Sequence, residues 1–213
     1  MPKSIAAFLA LLAAAPHVWA SESLMQALYA AGAKNISARL GSERGLCSNG
    51  PPAAGVSAEV STLVSRIHIP GLKDEQGESP VFYAVMADDP AQLLRLLKLG
   101  YGLSSPNGSL LHAAAFWNAP NSARLLLDRG LNPDARNTSG ATPLMIAVSE
   151  GGPNVARLLV ERGARVDTHT LQYALGCKDQ AMVDLVVKSG AVVSPSVRQA
   201  AQRLGIRLPA NEL

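Results

Sequence analysis

The fold of this 213-residue chain is decided by one stretch, Gly140–Ala164, which reads GATPLMIAVSEGGPNVARLLVERGA. Thr142 is followed by Pro143 and a short apolar segment, which is the order expected of a helix with an N-cap and a proline in its first turn. A second apolar segment, VARLL, starts at Val155 and leads to Gly163, a residue type suited to the left-handed conformation that ends a helix. The stretch therefore predicts two short helices joined by a turn.

The same pattern occurs four times along the chain. The four units contain the segments GESPVFYA, GSLLHAA, GATPLMIA and, in degenerate form, LQYA. Their equivalent alanines are 30, 33 and 27 residues apart: Ala84, Ala114, Ala147 and Ala174. The glycines that end the units repeat these spacings: Gly100, Gly130, Gly163 and Gly190. Self-similarity at a period near 33 residues indicates a repeat architecture.

These units resemble the ankyrin repeat, whose first helix opens with Thr-Pro-Leu-His-x-Ala. The resemblance covers residues 74 to 193, although the second unit has Leu110 in place of the proline and the fourth lacks the Thr-Pro pair. It implies an all-α fold, an ankyrin-repeat solenoid of helix-turn-helix units with short hairpin loops. In the family pattern His112 hydrogen-bonds between neighbouring units, so we interpret this histidine as structural.

A solenoid needs capping units, because each repeat covers only its neighbours. Val197 and Ala200 predict a last helix over residues 196–204. Apolar residues near Leu28 and Val64 predict a degenerate leading helix pair, separated by a Gly/Pro/Ser-rich loop at residues 41–55. The resulting division is a signal peptide (1–20), an N-terminal capping region (21–73), the repeats (74–193) and a C-terminal cap (194–213).

The first twenty residues predict export. Lys3 precedes an apolar run from Ile5 to Ala15, and Pro16 and the segment Val18-Trp19-Ala20 follow it. This is the order of a secretory signal peptide, and the run is too short to span a bilayer. A buried N-terminal helix is the alternative. The alanine-rich leader, with no cysteine near the cleavage point, favours a bacterial periplasmic protein.

Composition and motifs exclude several classes of function. No apolar run reaches the length of a spanning helix, so a multi-pass membrane protein is excluded. The net charge of +3 gives no argument for nucleic acid. No metal, cofactor or catalytic motif is present. An enzyme site using Asp88, Asp89 and His112 is the remaining alternative; the two carboxylates are more simply interpreted as caps for the second helix of the first unit.

What remains is a binding surface. In the ankyrin pattern, the unconstrained positions of the first helices line the concave face. The resemblance places these candidate partner-binding residues there: Tyr83, Met86, Phe116, Trp117, Ile146, Glu150 and Tyr173. Aromatic residues and methionine commonly anchor protein–protein interfaces, so we interpret the row as an exposed interaction stripe. The alternative is that these side chains pack on one another or beneath the N-terminal loop.

The predicted export bears on the redox state of the two cysteines. In an oxidising compartment Cys47 and Cys177 could form a disulfide, the alternative being two free thiols. Cys177 falls at a concave position, so a bond to Cys47 would draw the N-terminal loop across the groove. The loop would then either complete the binding surface or cover it.

The sequence thus predicts an exported, non-enzymatic protein that binds another protein. The first hypothesis is an immunity protein, because the chain resembles small periplasmic ankyrin proteins that neutralise toxins delivered by type VI secretion, such as phospholipases and cell-wall hydrolases. The second is an accessory protein, since periplasmic ankyrin proteins that resemble this chain include partners of catalase in oxidative-stress protection. An enzyme and a host-targeted effector are further alternatives.

Overall fold

The computed structural model describes residues 23–33, 54–106 and 108–208. The elements in these ranges are α1 (residues 23–33), α2 (Ala54–Ser65), α3 (Pro80–Met86), α4 (Pro90–Lys98), β1 (Ser104–Ser105), β2 (Gly108–Ser109), α5 (Leu110–Phe116), α6 (Pro120–Asp128), α7 (Pro143–Ser149), α8 (Pro153–Glu161), α9 (Thr168–Gly176), α10 (Gln180–Lys188) and α11 (Pro195–Leu204). The predicted signal peptide lies outside the described residues.

The helices stack in two layers. The inner layer runs α3, α5, α7, α9 and α11. The outer layer contains α4, α6 and α8 side by side, and α10, which packs on α9, is the outer helix of the last pair. We call α3–α4, α5–α6, α7–α8 and α9–α10 the first to fourth repeats. The strands β1 and β2 form an antiparallel hairpin with Ser104 opposite Ser109. The predicted all-α solenoid of helix-turn-helix units is confirmed.

Local sequence explains where the inner helices begin. Thr142 Oγ1 accepts the backbone N–H of Met145 at 3.3 Å, so it is the N-cap that the sequence predicts. Ser109, at the equivalent position of the second repeat, accepts the backbone N–H of Leu111 at 3.2 Å through its Oγ. Ser79 occupies the equivalent position before α3, but its side chain makes no capping hydrogen bond. The proline that follows Ser79 sets the helical backbone without that bond.

Local sequence also explains where the outer helices end. The four predicted terminal glycines all have positive φ: Gly100, Gly130, Gly163 and Gly190. At Gly130 and Gly163 φ is 82°, a conformation that a side chain would strain. The periodic glycines therefore reverse the chain after each outer helix and send it into the next hairpin.

The core lies between the two layers and is mostly aliphatic. Its largest fully buried side chains include Leu93, Leu96, Leu126, Leu144 and Leu159. These leucines come from both layers of the first three repeats, so each outer helix is held by apolar burial against the inner helices. Complete burial of a leucine contributes about 2 kcal/mol relative to leaving it exposed.

A leading helix pair covers the N-terminal end. Leu28 on α1 and Val64 on α2 are completely buried, as the sequence predicts. Arg95 on α4 donates from Nη1 to the carbonyl of Ile67 and from Nη2 to that of Val64, both at 2.6 Å. The helix α2 begins at Ala54, so it includes the last two residues of the loop predicted at 41–55; residues 41–53 lie outside the described ranges.

Helix α11 stacks on α9 and covers the fourth repeat on its C-terminal side. Val197 is buried as predicted. The second buried position on α11 is Ala201, whereas Ala200, the position that the sequence indicated, is only partly buried. The chain beyond α11 is held by the side-chain amide of Gln180, which donates to the carbonyl of Arg207 at 2.7 Å and accepts its N–H at 3.0 Å.

Candidate functional site

The predicted interaction stripe occupies equivalent positions on or next to the inner helices, but most of it is not open to solvent. Three of its seven side chains have at most 2 % of their surface exposed: Tyr83, Met86 and Trp117. Three are partly buried: Phe116, Ile146 and Glu150. Only Tyr173 is exposed, at 47 %. The expectation of a continuous exposed stripe is therefore wrong at the three buried positions.

Helix α1 contributes to covering the stripe at the first repeat. A Cβ atom placed on Gly32 of α1 would lie 3.2 Å from the ring of Tyr83 and 3.6 Å from Met86, so the backbone of α1 approaches both side chains closely. The Tyr83 hydroxyl donates a short hydrogen bond to Asp74 Oδ2. Burial, followed by the bond to Asp74, raises the pKa of Tyr83, which keeps the hydroxyl protonated as a donor. Tyr83 is thus a packing residue.

The aromatic pair of the second repeat packs internally. The rings of Phe116 and Trp117 meet edge to face, with centroids 4.9 Å apart and planes at 83°. Such pairs add roughly 0.5–1.5 kcal/mol beyond the apolar area they bury. The predicted alternative, in which these side chains pack on one another, therefore describes this pair better than an exposed stripe does.

Among the inner helices of the four repeats, α9 of the fourth repeat is the one that carries exposed side chains. Tyr173 on α9 occupies the position equivalent to Ile146 on α7, and these two helices pack side by side. Gln172 and Gly176 are exposed on α9 next to Tyr173. We call these four residues the Tyr173 surface. It combines one large aromatic side chain, a partly buried aliphatic side chain and a hydrogen-bonding amide.

Cys177 lies at the end of α9 and is disulfide-bonded. Its sulfur is 3.5 Å from the carbonyl oxygen of Ser149, which places it against the end of α7. The alternative of a free thiol does not apply to Cys177. The predicted partner, Cys47, is the other cysteine of the sequence and lies outside the described residues.

The residues of the alternative enzyme site have structural hydrogen bonds. His112 is buried, and its Nδ1 accepts the backbone N–H of Ser109 at 3.2 Å, so the ring proton lies on Nε2 and is donated to the carbonyl of Ala141 at 3.0 Å. This bond joins the second and third repeats, which is the role that the resemblance implies. Asp89 caps α4, as predicted, and also accepts a hydrogen bond from Ser61.

The prediction that Asp88 also caps α4 is wrong, because Asp88 instead caps a helix of the following repeat. Its Oδ1 accepts the backbone N–H of Ser122 at 2.7 Å, and its Oδ2 accepts the side-chain amide of Asn121 at 2.9 Å. Both donors are in the first turn of α6, whose own N-cap, Ala119, has no side chain that can accept. Burial raises the pKa of Asp88, and the hydrogen bonds from Ser122 and Asn121 oppose that shift.

The same arrangement continues at Asn118 and stops at Gly151. Asn118, like Asp88, has a positive φ, and its Oδ1 accepts the backbone N–H of Val155 in α8 at 3.3 Å. Gly151 holds the equivalent position in the third repeat and offers no side chain. The following outer helix, α10, is instead capped by its own Asp179.

Tyr29 on α1 is an exposed aromatic residue that the sequence did not identify as a candidate site residue. It leaves 40 % of its surface accessible, whereas Met25 and Leu28 of the same helix are buried. Tyr29 is one position further around α1 than Leu28, which turns its ring toward the turn at residues 73–78. We call this turn the first hairpin. A groove of about 360 Å³ opens between α1 and this hairpin. The helical spacing of Met25 and Leu28 was the signal that could have separated Tyr29 from the buried face.

Two further classes of site find no support in the described part of the chain. No group of three or more His, Cys, Asp or Glu side chains in ranges 23–33, 54–106 and 108–208 is placed to hold a metal ion. Across the same ranges, none of the helices combines the length and the apolar character needed to cross a membrane.

Comparison with known proteins agrees with the repeat architecture. A family model described as ankyrin repeats (three copies) matches residues 81–170 and, in an overlapping second match, residues 110–196. Together the two matches span more than half of the chain. No curated protein matches it.

Proposed function

This chain belongs to the ankyrin-repeat family, and from that membership we propose that it is a non-enzymatic protein that binds a protein partner through the Tyr173 surface. Ankyrin repeats are typically protein-interaction modules, which supports the class of function. One observation carries the choice of surface: Tyr173 is the one stripe residue, of the seven predicted, whose side chain is exposed.

The physical properties of the Tyr173 surface suit a protein interface. A tyrosine combines a large apolar ring with a hydroxyl and has few rotamers to lose, so it is enriched among the residues that dominate binding energy. The helix α9 that carries it is held between α7 and α11. A surface that is already ordered loses little conformational entropy when a partner binds.

The compartment and partner that we propose are the bacterial periplasm and a secreted toxin. The order of residues 1–20 supports export through a cleavable signal peptide. The disulfide at Cys177 supports an oxidising compartment, where such bonds persist. In this proposal the protein is an immunity protein that covers a phospholipase or cell-wall hydrolase delivered by type VI secretion. An accessory protein of catalase is the alternative.

The first prediction tests this proposal by affinity capture from periplasmic extract with the tagged chain. We expect Tyr173→Ala to weaken capture of the partner by about 30-fold, because truncation of an interface hot spot costs about 2 kcal/mol. Binding of the captured protein is then measured by calorimetry with wild type and variant. A circular dichroism spectrum establishes that the variant keeps its helices.

The matched control is Val192→Ala, which removes another exposed apolar side chain outside the inner helices. Capture of a lipase or a cell-wall hydrolase supports the immunity proposal, and capture of catalase replaces it with the accessory alternative. Equal affinity for wild type, Tyr173→Ala and Val192→Ala would show that the Tyr173 surface is not the interface.

A further inference from the structure

A second surface of the molecule has the features of a binding groove. It lies between α1 and the first hairpin and has a volume of about 360 Å³. Its lining residues come equally from the two elements: Met25, Gln26, Tyr29, Lys73, Asp74 and Glu75. We call it the α1–hairpin groove. Its floor is apolar at Met25, its side is the exposed ring of Tyr29, and its rim carries charges.

Both walls of the groove are held in place. Asp74 Oδ1 accepts the backbone N–H groups of Gln76 and Glu78, each at 2.8 Å, and these bonds close the hairpin. Asp74 Oδ2 accepts the hydroxyl of Tyr83, which joins the hairpin to α3. The other wall, α1, rests on the Tyr83 ring at Gly32. The groove therefore exists before any partner arrives, which lowers the entropic cost of filling it.

The charges of the groove favour a cation. The lining of the groove carries two carboxylates, Asp74 and Glu75, and one ammonium group, Lys73. Glu75 is exposed, and within the described residues it forms no ion pair. The face of a tyrosine ring also attracts a cationic group. An aliphatic stem can lie on Met25 while its charged head meets the carboxylate of Glu75 and the ring of Tyr29.

We propose that the α1–hairpin groove receives an arginine or lysine side chain of the protein partner. The inference rests on the proposed protein-binding function and adds a second contact, at the opposite end of the solenoid from the Tyr173 surface. A partner that contacts both surfaces must span the length of the four repeats. It must present a basic side chain at one end of its interface and the patch that meets Tyr173 at the other.

The second prediction concerns the groove alone and uses N-acetyl-arginine amide as the probe. Titration of the ¹⁵N-labelled full chain should give saturable shifts of the amide signals of residues 25–29 and 73–75. The neutral isostere N-acetyl-citrulline amide should give no saturable shift, because it lacks the charge that Glu75 attracts. Glu75→Lys should weaken the arginine probe at least tenfold.

Glu161→Lys is the matched control, because Glu161 is an exposed carboxylate on α8 far along the chain from the groove. It should leave the titration unchanged. Equal shifts with the arginine and citrulline probes, or no shift of groove residues at millimolar probe, would overturn the inference.

Affinities of the variants for the captured partner distinguish this inference from the proposed function. Glu75→Lys should lower the partner's affinity at least tenfold, as should Tyr29→Ala. If Tyr173→Ala weakens the partner and Glu75→Lys does not, the groove inference fails while the proposed function stands. If Glu75→Lys weakens it and Tyr173→Ala does not, the groove, and not the Tyr173 surface, is the interface.

Discussion

Asp88 and Asn118 show how single side chains join successive repeats. Each lies in a left-handed conformation between an inner and an outer helix, and each accepts at least one backbone N–H from the outer helix of the next repeat. Aspartate and asparagine are the residue types, apart from glycine, that tolerate this conformation and can also cap a helix. Asp88 carries a charge and Asn118, at the equivalent position, does not. Replacement of Asp88 by asparagine therefore tests what the negative charge contributes.

The third prediction concerns Asp88. We expect Asp88→Ala to lower the free energy of unfolding by about 2 kcal/mol, from the lost cap and the strain of alanine at positive φ. Asp88→Asn should be neutral or stabilising at pH 7, because it keeps an acceptor and removes a partly buried charge. Urea unfolding followed by circular dichroism measures both.

The pH dependence provides the control for Asp88. The pKa of Asp88 is raised in the folded state, chiefly by burial, so the folded state binds the proton more tightly than the unfolded chain. This contribution to stability is present below the unfolded pKa and is lost as the pH rises through the folded pKa. The advantage of Asp88→Asn should therefore shrink as the pH falls toward 4. An advantage that does not change with pH would contradict the assigned role of the charge.

At this scale the sequence predicted caps within a repeat and missed caps between repeats. Thr142, Ser109 and Asp89 bond to residues two or three positions away, so their spacing alone identifies them. Asp88 bonds to residues more than 30 positions away. That partnership depends on how neighbouring repeats align in space, which a propensity argument does not contain.

At the scale of elements, Arg95 holds the end of the leading pair. Its two terminal nitrogens reach the carbonyls of Val64 and Ile67, which lie at the end of α2 and just beyond it. The last carbonyls of a helix lack the i+4 N–H partners of its interior and have room for such donors. Its Nε donates to Gln92 on its own helix, which orients the guanidinium group. The planar fork of arginine can serve two carbonyls at once, whereas a lysine ammonium cannot match that geometry.

The fourth prediction follows from this geometry. Arg95→Ala should lower the free energy of unfolding by about 2 kcal/mol, because two charge-assisted hydrogen bonds are lost at a partly buried site. Arg95→Lys should recover less than half of that. Amide hydrogen exchange should show the loss of protection concentrated in α2. Arg124→Ala, at an exposed arginine of α6, is the control and should leave α2 protected; equal loss in both variants would contradict the prediction.

The candidate site illustrates what element-level patterns leave out. The resemblance identified the inner-helix positions and therefore Tyr173 and Ile146. It did not show that α1 would lie against Tyr83 and Met86, since that contact depends on the packing of a leading helix far from the repeat pattern. An exposed position in an ideal repeat is a buried one wherever another segment is laid over it.

At the scale of the whole molecule, stability is a sum of repeats and their interfaces, and the ends are the weakest parts. Within residues 108–208, the C-terminal side of the fourth repeat is covered by one helix instead of two, and Arg207 beyond that helix forms two hydrogen bonds with Gln180. Periodicity predicted the number and phase of the repeats and the presence of this last helix. The bond from Gln180 joins positions without a repeat relationship, so no periodic signal reveals it.

The fifth prediction tests this end. Gln180→Ala should lower the protection of α11 amides against hydrogen exchange by about 1 kcal/mol, the net value of ordinary hydrogen bonds, and leave α5 and α7 unchanged. Gln202→Ala changes an exposed glutamine on α11 itself and is the control. Uniform loss of protection along the solenoid would show that the molecule unfolds as one unit, and the prediction would then be wrong.

The caps at Asp88 and Asn118 also determine which pieces of this solenoid can be recombined. If the second repeat is grafted alone, it keeps Asn118 but loses α8, the helix that Asn118 caps. It also loses Asp88, the residue of the first repeat that caps α6. The intact module therefore begins inside the preceding repeat. Gly151 has no side chain that could cap a helix of the fourth repeat, and α10 is capped by its own Asp179. Of the three junctions between repeats, the one between the third and fourth is therefore where a chimaera loses no cap.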